Sequence, residues 1–311
     1  MSTRCGYIAL LGRPNAGKST LLNACIGQKI VGVSRRPQTT RNKVLGISSE
    51  GDTQLIFLDT PGIHKAQGRA KINHTMNKLA WSSAADADLI CYMVDASKGW
   101  TGEDTLYFST LLEHAKVPVL VVASKADALK KAKISEGVAS IKAGMDSCKE
   151  STSFDQFLHD EPFLVSAKQK DSVSSFKKIT SSALPMSPWL YGEDELTDKP
   201  ERFLVSELIR EQLFRRLGAE LPYGCGVTIE SMQTQAKLIR IKACIIVSRA
   251  SHKPMVIGRN GQSIKEIGKE SRLSLEQHFE NKVFLELFVK VKENWIDRSD
   301  LICAFQQIEE A

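Results

Sequence analysis

Residues 12–19 read GRPNAGKS, a loop bracketed by glycines between an apolar run and the start of an amphipathic stretch. Gly12 and Gly17 supply backbone freedom that other residues lack, so successive N–H groups can turn inward around an anion. The helix that opens at the end of the loop adds the positive end of its dipole. The loop fills the pattern G-x-x-x-x-G-K-[ST] completely, with the preceding strand and following helix that the pattern requires. A glycine turn matched by chance is the plainer alternative, and the strand–loop–helix context argues against it. The loop therefore predicts a polyphosphate site. Gly12, Arg13, Pro14, Asn15, Ala16 and Gly17 form the cradle, with Lys18 reaching the β- and γ-phosphates. The Ser19 hydroxyl faces a Mg²⁺ ion, and Thr20 adjoins it.

The rest of the first half fits the α/β frame that such a loop demands. Tyr7–Leu11, Gln54–Leu58, Leu89–Val94, Val117–Ala123 and Pro162–Val165 are apolar enough to be strands buried on both faces. Helical periodicity lies near 18–26, 71–84, 102–115, 133–147 and 170–180. Buried strands alternating with helices predict a parallel sheet whose ligands sit at the strands' carboxyl ends. The further motifs each follow one of those ends.

The strand at 54–58 runs into Asp59-Thr60-Pro61-Gly62 and then Ile63, all five expected to contact the nucleotide. A carboxylate at Asp59 can hold Mg²⁺ through water, and the Gly62 N–H can bond a γ-phosphate and register its loss. Between the loop and this strand lies SRRPQTTR (34–41), where Thr40, or alternatively Thr39, would complete the metal shell. The expected metal ligands are thus Ser19, Thr40 and Asp59. Lys18, Asn15, Thr40 and Gly62 are the expected catalytic set.

Ser124-Lys125-Ala126-Asp127 closes the strand at 119–123 and is similar to the N-K-x-D element of GTPases. A carboxylate at Asp127 accepts from guanine N1–H and N2–H₂, a donor pair that adenine lacks. The Lys125 stem can pack along the base. Ser166-Ala167-Lys168 matches the S-A-K element, in which the Ala167 N–H donates to guanine O6. Ser124 departs from the usual asparagine and predicts weaker nucleotide binding with guanine preference kept. Ile63 stands where Ras-like GTPases carry a water-orienting glutamine and cannot bond water. In GTPases whose loops read Pro-Asn-x-Gly-Lys-Ser, the asparagine helps to hold K⁺ beside the phosphates, so the resemblance implies K⁺ stimulation through Asn15.

At 311 residues the chain is long enough for two cores. Ser181–Lys199 holds Pro185, Pro188, Gly192 and several acids without periodicity and reads as a linker. A helix at about 200–217, strands at Gly226–Met232 and Leu238–Val247, a Gly-x-x-Gly loop, a helix from Gln262 and a strand at Val283–Val291 follow. The core VIGRNGQSIKEIG (256–268) resembles a KH domain, in which small loop residues let a nucleic-acid backbone approach. Ile257, Gly258, Arg259, Asn260, Gly261 and Lys265 are the candidate RNA contacts. Between Lys237 and Arg272 nine Lys and Arg residues face only Glu266 and Glu270, an electrostatic footprint suited to a phosphate backbone.

Seven scattered cysteines with no C-x-x-C pair argue against disulfides and a zinc site. No apolar run approaches the ~20 residues of a membrane span, and the N-terminus lacks a signal-peptide pattern, so a cytoplasmic protein is expected.

The two halves together resemble the Era family of bacterial GTPases. The likeness rests on GRPNAGKS (12–19), SRRPQTTR (34–41), DTPGIH (59–64), SAK (166–168), TDKPERFLVSELIRE (197–211), ELPY (220–223) and VIGRNG (256–261). It implies a P-loop, Ras-like G domain over 1–180, a linker over 181–199, and a smaller α+β type II KH domain over 200–311. It further implies a GTPase that acts as a monomer, binds the 3′ end of 16S rRNA, assists 30S subunit biogenesis and touches the inner membrane peripherally. Three alternatives stay open on the residues alone: an RNA-binding module whose G domain no longer hydrolyses GTP, a GTPase whose C-terminal domain contacts protein or lipid, and an ATPase.

Overall fold

The computed structural model describes residues 3–33, 44–60, 62, 80–128, 131–218, 221–293 and 295. The chain divides into two units, parted chiefly at Asp198/Lys199. The expected ligands Thr40, Pro61 and Ile63, together with segment 34–41 and Thr39, lie outside the described residues.

The first unit is built on a six-stranded sheet. Its strands are β1 (Arg4–Leu11), β2 (Val44–Glu50), β3 (Thr53–Asp59), β4 (Leu89–Asp95), β5 (Val119–Ser124) and β6 (Phe163–Leu164), in the spatial order β2-β3-β1-β4-β5-β6. Every residue of β4 and β5 is buried, as continuous Leu/Ile/Val runs between two helical layers require. Each such side chain contributes about 1.5–3 kcal/mol on leaving water. Helices α1 (Lys18–Ile26), α2 (Gly102–His114), α3 (Lys131–Glu150) and α4 (Lys170–Ser182) flank the sheet, and residues 80–85 are helical as well. A capping box starts α2: the Thr101 hydroxyl accepts from the Asp104 N–H while the Asp104 carboxylate accepts from the Thr101 N–H.

Two sequence expectations need correction here. The sheet is not wholly parallel, because β2 pairs antiparallel with β3 at the edge. Its run VLGISSE hides the strand, since Gly46, Ser48 and Ser49 dilute the apolar signal. And α4 reaches Ser182, two residues into the stretch read as linker, with the Ser181 and Ser182 hydroxyls bonding back to the Lys178 and Ile179 carbonyls.

The irregular stretch that follows is fastened to the first sheet. Gln54, fully buried in β3, accepts from the Leu190 and Tyr191 N–H groups at 2.9 and 3.0 Å and donates to the Tyr191 carbonyl at 2.9 Å. The Ile47 N–H donates to the Leu196 carbonyl at 2.9 Å, and the Leu45 N–H to the Asp198 carboxylate at 3.2 Å.

The second unit has a three-stranded sheet of β7 (Cys225–Gln235), β8 (Leu238–Val247) and β9 (Val283–Val291), in that order. The β7–β8 pair is antiparallel and β8–β9 parallel. Helices α5 (Glu201–Arg216), α6 (His252–Ile257) and α7 (Gln262–Phe279) complete it. Ile267, Ser271 and Leu275 recur every four residues as the buried stripe of α7, and Ile267 and Leu275 pack into the same core as Leu208, Ile209 and Leu213 of α5. The order α-β-β-α-α-β is that of a type II KH domain. All six described cysteines are buried. Among the described residues no helix is long and apolar enough to cross a membrane.

Candidate nucleotide site and nucleic-acid loop

The phosphate loop joins β1 to α1 at the carboxyl edge of the first sheet. Gly12 sits at φ +134°, and a Cβ there would come within 2.3 Å of the Met93 carbonyl oxygen, so the loop's entry demands glycine twice over. Asn15 and Gly17 also hold positive φ, +64° and +95°. Gly17 is the N-cap of α1 and supplies no side-chain cap. The helix's first N–H groups thus keep the anion-binding character expected of them. Lys18 is buried, and its ammonium donates to the Gly12 and Arg13 carbonyls at 3.0 Å each, which curls the loop around its own lysine. Burial pushes the Lys18 pKa down to about 8, against the pull of the Asp59 carboxylate. Thr20 is exposed on α1.

The Arg13 side chain turns away along the surface to α2. It pairs with Glu103 at 2.8 Å, bonds the Thr101 hydroxyl at 2.9 Å and approaches Asp104 at 3.4 Å. Asp104 is buried and also accepts from the Tyr92 hydroxyl.

Asp59 ends β3 fully buried, and its carboxylate accepts from the Ser19 hydroxyl at 2.7 Å. Two of the three expected metal ligands therefore meet. A hydroxyl and a carboxylate are hard oxygen donors of the kind Mg²⁺ takes. Thr60 is fully buried too, but its hydroxyl donates to the Leu10 carbonyl at 2.8 Å, tying β3 to β1. A Cβ on Gly62 would stand 2.6 Å from the Pro14 nitrogen, so this glycine lets its segment lie directly against the phosphate loop.

The base-reading elements converge from β5 and β6. Lys125, at φ +62°, sends its ammonium to the Asp95 carboxylate at 2.7 Å. Its stem passes near Gly17, where a Cβ would be 3.9 Å from the lysine Cε. Burial raises the Asp95 pKa, but hydrogen bonds from Lys125 and Ser97 outweigh it and hold the carboxyl below its usual range. Asp127 accepts from the Ser166 hydroxyl at 2.8 Å and pairs with Lys168 at 2.7 Å. The Lys168 bond, aided by Ser166, depresses its pKa against a smaller desolvation. The Ala126 N–H donates to the Val165 carbonyl at 3.2 Å, which sets the 124–127 and 166–168 segments side by side. Ser166 is itself placed by its N–H bond to the Ser172 hydroxyl. Ser124 is buried and bonds the phosphate loop through Ala16. Asp95, Asp104 and Tyr92 were not singled out by the motifs. Asp95 alone carried a signal, since it ends a strand on the ligand-bearing edge.

In the second unit the Gly258–Gly261 loop joins α6 to α7. Gly258, Asn260 and Gly261 all have positive φ: +73°, +50° and +73°. A Cβ on Gly258 would be 2.6 Å from that of Ser263, whereas Gly261 faces open space. Arg259, Asn260 and Lys265 are exposed, and Ile257 is half-buried against the core. All nine basic residues from Lys237 to Arg272 are exposed, and of the two acids among them Glu266 is paired with Arg216.

Comparison with known proteins bears on both units. A family model described as a 50S ribosome-binding GTPase matches residues 7–125, and a KH-domain model matches residues 220–296. GTPase Era of Ectopseudomonas mendocina is 41% identical over 95% of this chain and 94% of its own. GTPase Era of Stenotrophomonas maltophilia is 42% identical over 97% and 96%. A crystal structure of Era in complex with MgGDPNP and nucleotides 1506–1542 of 16S ribosomal RNA superposes with a TM-score of 0.86, at 33% identity over 97% of this chain and 98% of that one. An Aquifex aeolicus Era variant bound to GDP·AlF4⁻ gives 0.85, again at 33%, over 97% and 99%. A likeness of this depth, running end to end through the phosphate loop, the base-reading segments and the Gly-x-x-Gly loop, makes the chain a member of the Era family of GTPases.

Proposed function

We propose that the chain is a GTP-driven switch that binds the 3′ end of 16S rRNA through its KH domain and assists assembly of the small ribosomal subunit in the cytoplasm. The observation that carries the nucleotide half is Asp127, held ionised by Lys168 and Ser166 beside the phosphate loop. Its two oxygens suit the paired donors of guanine. Ala167 offers its N–H to O6 on the same edge. Lys18 neutralises the β- and γ-phosphates, and the Gly62 N–H bonds the γ-phosphate from a backbone already against Pro14.

Ser19 and Asp59, with Thr40, would hold Mg²⁺, which when bound supplies charge stabilisation for the departing phosphate. Asn15, the asparagine of the Pro-Asn-x-Gly-Lys-Ser loop, would help to hold K⁺ beside the phosphates. GTP orders segment 34–41 and the segment after Gly62, that ordering favours RNA binding, and hydrolysis reverses it. The RNA half is supported by the glycine loop and its exposed basic surroundings. The protein acts as a monomer with peripheral contact to the inner membrane.

The test is phosphate release from GTP with Mg²⁺, in K⁺ and in Na⁺ buffer, with and without an RNA carrying the 3′ end of 16S rRNA. Turnover raised by K⁺ and changed by the RNA is the expected result. Salt-sensitive RNA binding without any phosphate release would instead leave an RNA-binding module with an idle G domain. Turnover identical in K⁺ and Na⁺ would remove the role given to Asn15.

A further inference from the structure

Ser124 occupies the point where the base-reading strand meets the phosphate loop. It is 3% exposed, and its hydroxyl oxygen lies 2.6 Å from the Ala16 carbonyl oxygen and 3.1 Å from that of Val94. A serine hydroxyl carries one proton. Both neighbours accept and neither donates, so that proton is spent inside the protein, on Ala16 at the shorter distance. What the oxygen has left is capacity to accept. The edge of guanine bearing N7 and O6 only accepts, so Ser124 could bond it only by giving up Ala16. The Lys125 ammonium, which follows Ser124 in the chain, is engaged by Asp95 at 2.7 Å.

We infer that this chain reads guanine without recognising N7, and that Ser124 is a positioning residue, a latch that holds the phosphate loop against the base-reading strand. The packing supports the latch. A Cβ on Gly17 would lie 3.6 Å from the Ser124 oxygen, so loop and strand are already in contact. Specificity then rests on Asp127 with N1–H and N2–H₂ and on the O6 donor, while position 124 sets how firmly the phosphates are held. The inference deepens the nucleotide reading above and rests on it.

The experiment compares GTP with 7-deaza-GTP, in which a carbon replaces N7, by fluorescence displacement on the full chain with Mg²⁺. Wild-type protein should bind both within about twofold of each other. A hydrogen bond to N7 would favour GTP by about five- to tenfold. Ser124→Ala should weaken both nucleotides by the same factor, about tenfold, with the ratio unchanged. GTP bound more than fivefold tighter than 7-deaza-GTP by the wild type overturns the inference while leaving the nucleotide reading intact. GTP binding as tight in Ser124→Ala as in the wild type overturns the latch. Failure of both nucleotides to bind folded wild-type protein overturns the inference and the reading together. The wild-type ratio needs no variant, so it decides the N7 question even if Ser124→Ala folds poorly.

Discussion

The chain carries two glycine loops that do related work by opposite means. Each turns onto a helix N-terminus, each places an asparagine at positive φ (Asn15 and Asn260), and each ends in a left-handed glycine N-cap that supplies no side-chain cap (Gly17 and Gly261). Both are therefore suited to phosphate oxygens. The first loop is walled in: Met93 backs Gly12, Lys18 is buried under it, Ser124 latches it and Gly62 lies on Pro14. The second stands open, with Gly261 facing nothing and Arg259 and Lys265 in solvent. A closed loop fits one compact anion in one pose. An open loop fits a long polyanion passing over it, where charge and close backbone approach matter more than enclosure.

The largest effect should come from crowding the closed loop. Gly12→Ala drives a Cβ into the Met93 carbonyl at 2.3 Å and forbids φ +134°. We expect GDP affinity to fall by more than about a hundredfold and the first unit to lose about 3 kcal/mol of stability, read by calorimetry and urea unfolding. Retained GDP binding would show that the loop is less tightly held than its contacts indicate.

The open loop should separate binding from folding. Gly261→Asp meets no neighbour, and Asp tolerates left-handed φ, so stability should drop by only about 1 kcal/mol. RNA affinity should fall by about thirtyfold or more, because a negative charge now stands where phosphates pass. Gly258→Asp should cost more stability, since its Cβ would meet Ser263 at 2.6 Å. Equal destabilisation by the two changes would erase the distinction between the positions.

A smaller effect should follow from the exposed cations. Arg259→Ala and Lys265→Ala should each weaken RNA binding by about fivefold and reduce the slope of log affinity against log salt by about one. An unchanged slope would move the RNA path elsewhere.

The smallest effect concerns Lys18 and pH. Its pKa of about 8 in the folded protein lies below the ordinary 10.5. Phosphates favour the charged form, so above pH 8 binding must also take up a proton, and affinity falls as pH rises. GDP affinity should decrease by about fourfold between pH 7 and 8.5, measured by titration at fixed ionic strength. A flat profile would mean that burial leaves Lys18 charged.

The contrast between the loops was half visible in the sequence. Both glycine patterns and their flanking elements are local, and strands such as β8 and β9 stand out because their apolar residues are contiguous or alternate. Strand β2 did not, because an edge strand with Gly46, Ser48 and Ser49 lacks the apolar run of a buried one. In the site, Lys18, Ser19, Asp59, Asp127 and Ser166 follow from motif spacing. Which side chains fasten the loops does not. Arg13 finds Glu103 and Asp104, and Lys125 finds Asp95, across distances in sequence that no local pattern encodes. Nor does motif spacing tell that the Thr60 hydroxyl bonds the Leu10 carbonyl.

The most direct test is a competition titration of folded protein, with Mg²⁺ and a fluorescent GDP, against GTP and ATP. Displacement by GTP at concentrations where ATP has no effect, with selectivity lost in Asp127→Ala, is the expected result. Equal displacement by ATP, or no bound GDP to displace, would contradict the assignment of position 127 as the reader of guanine.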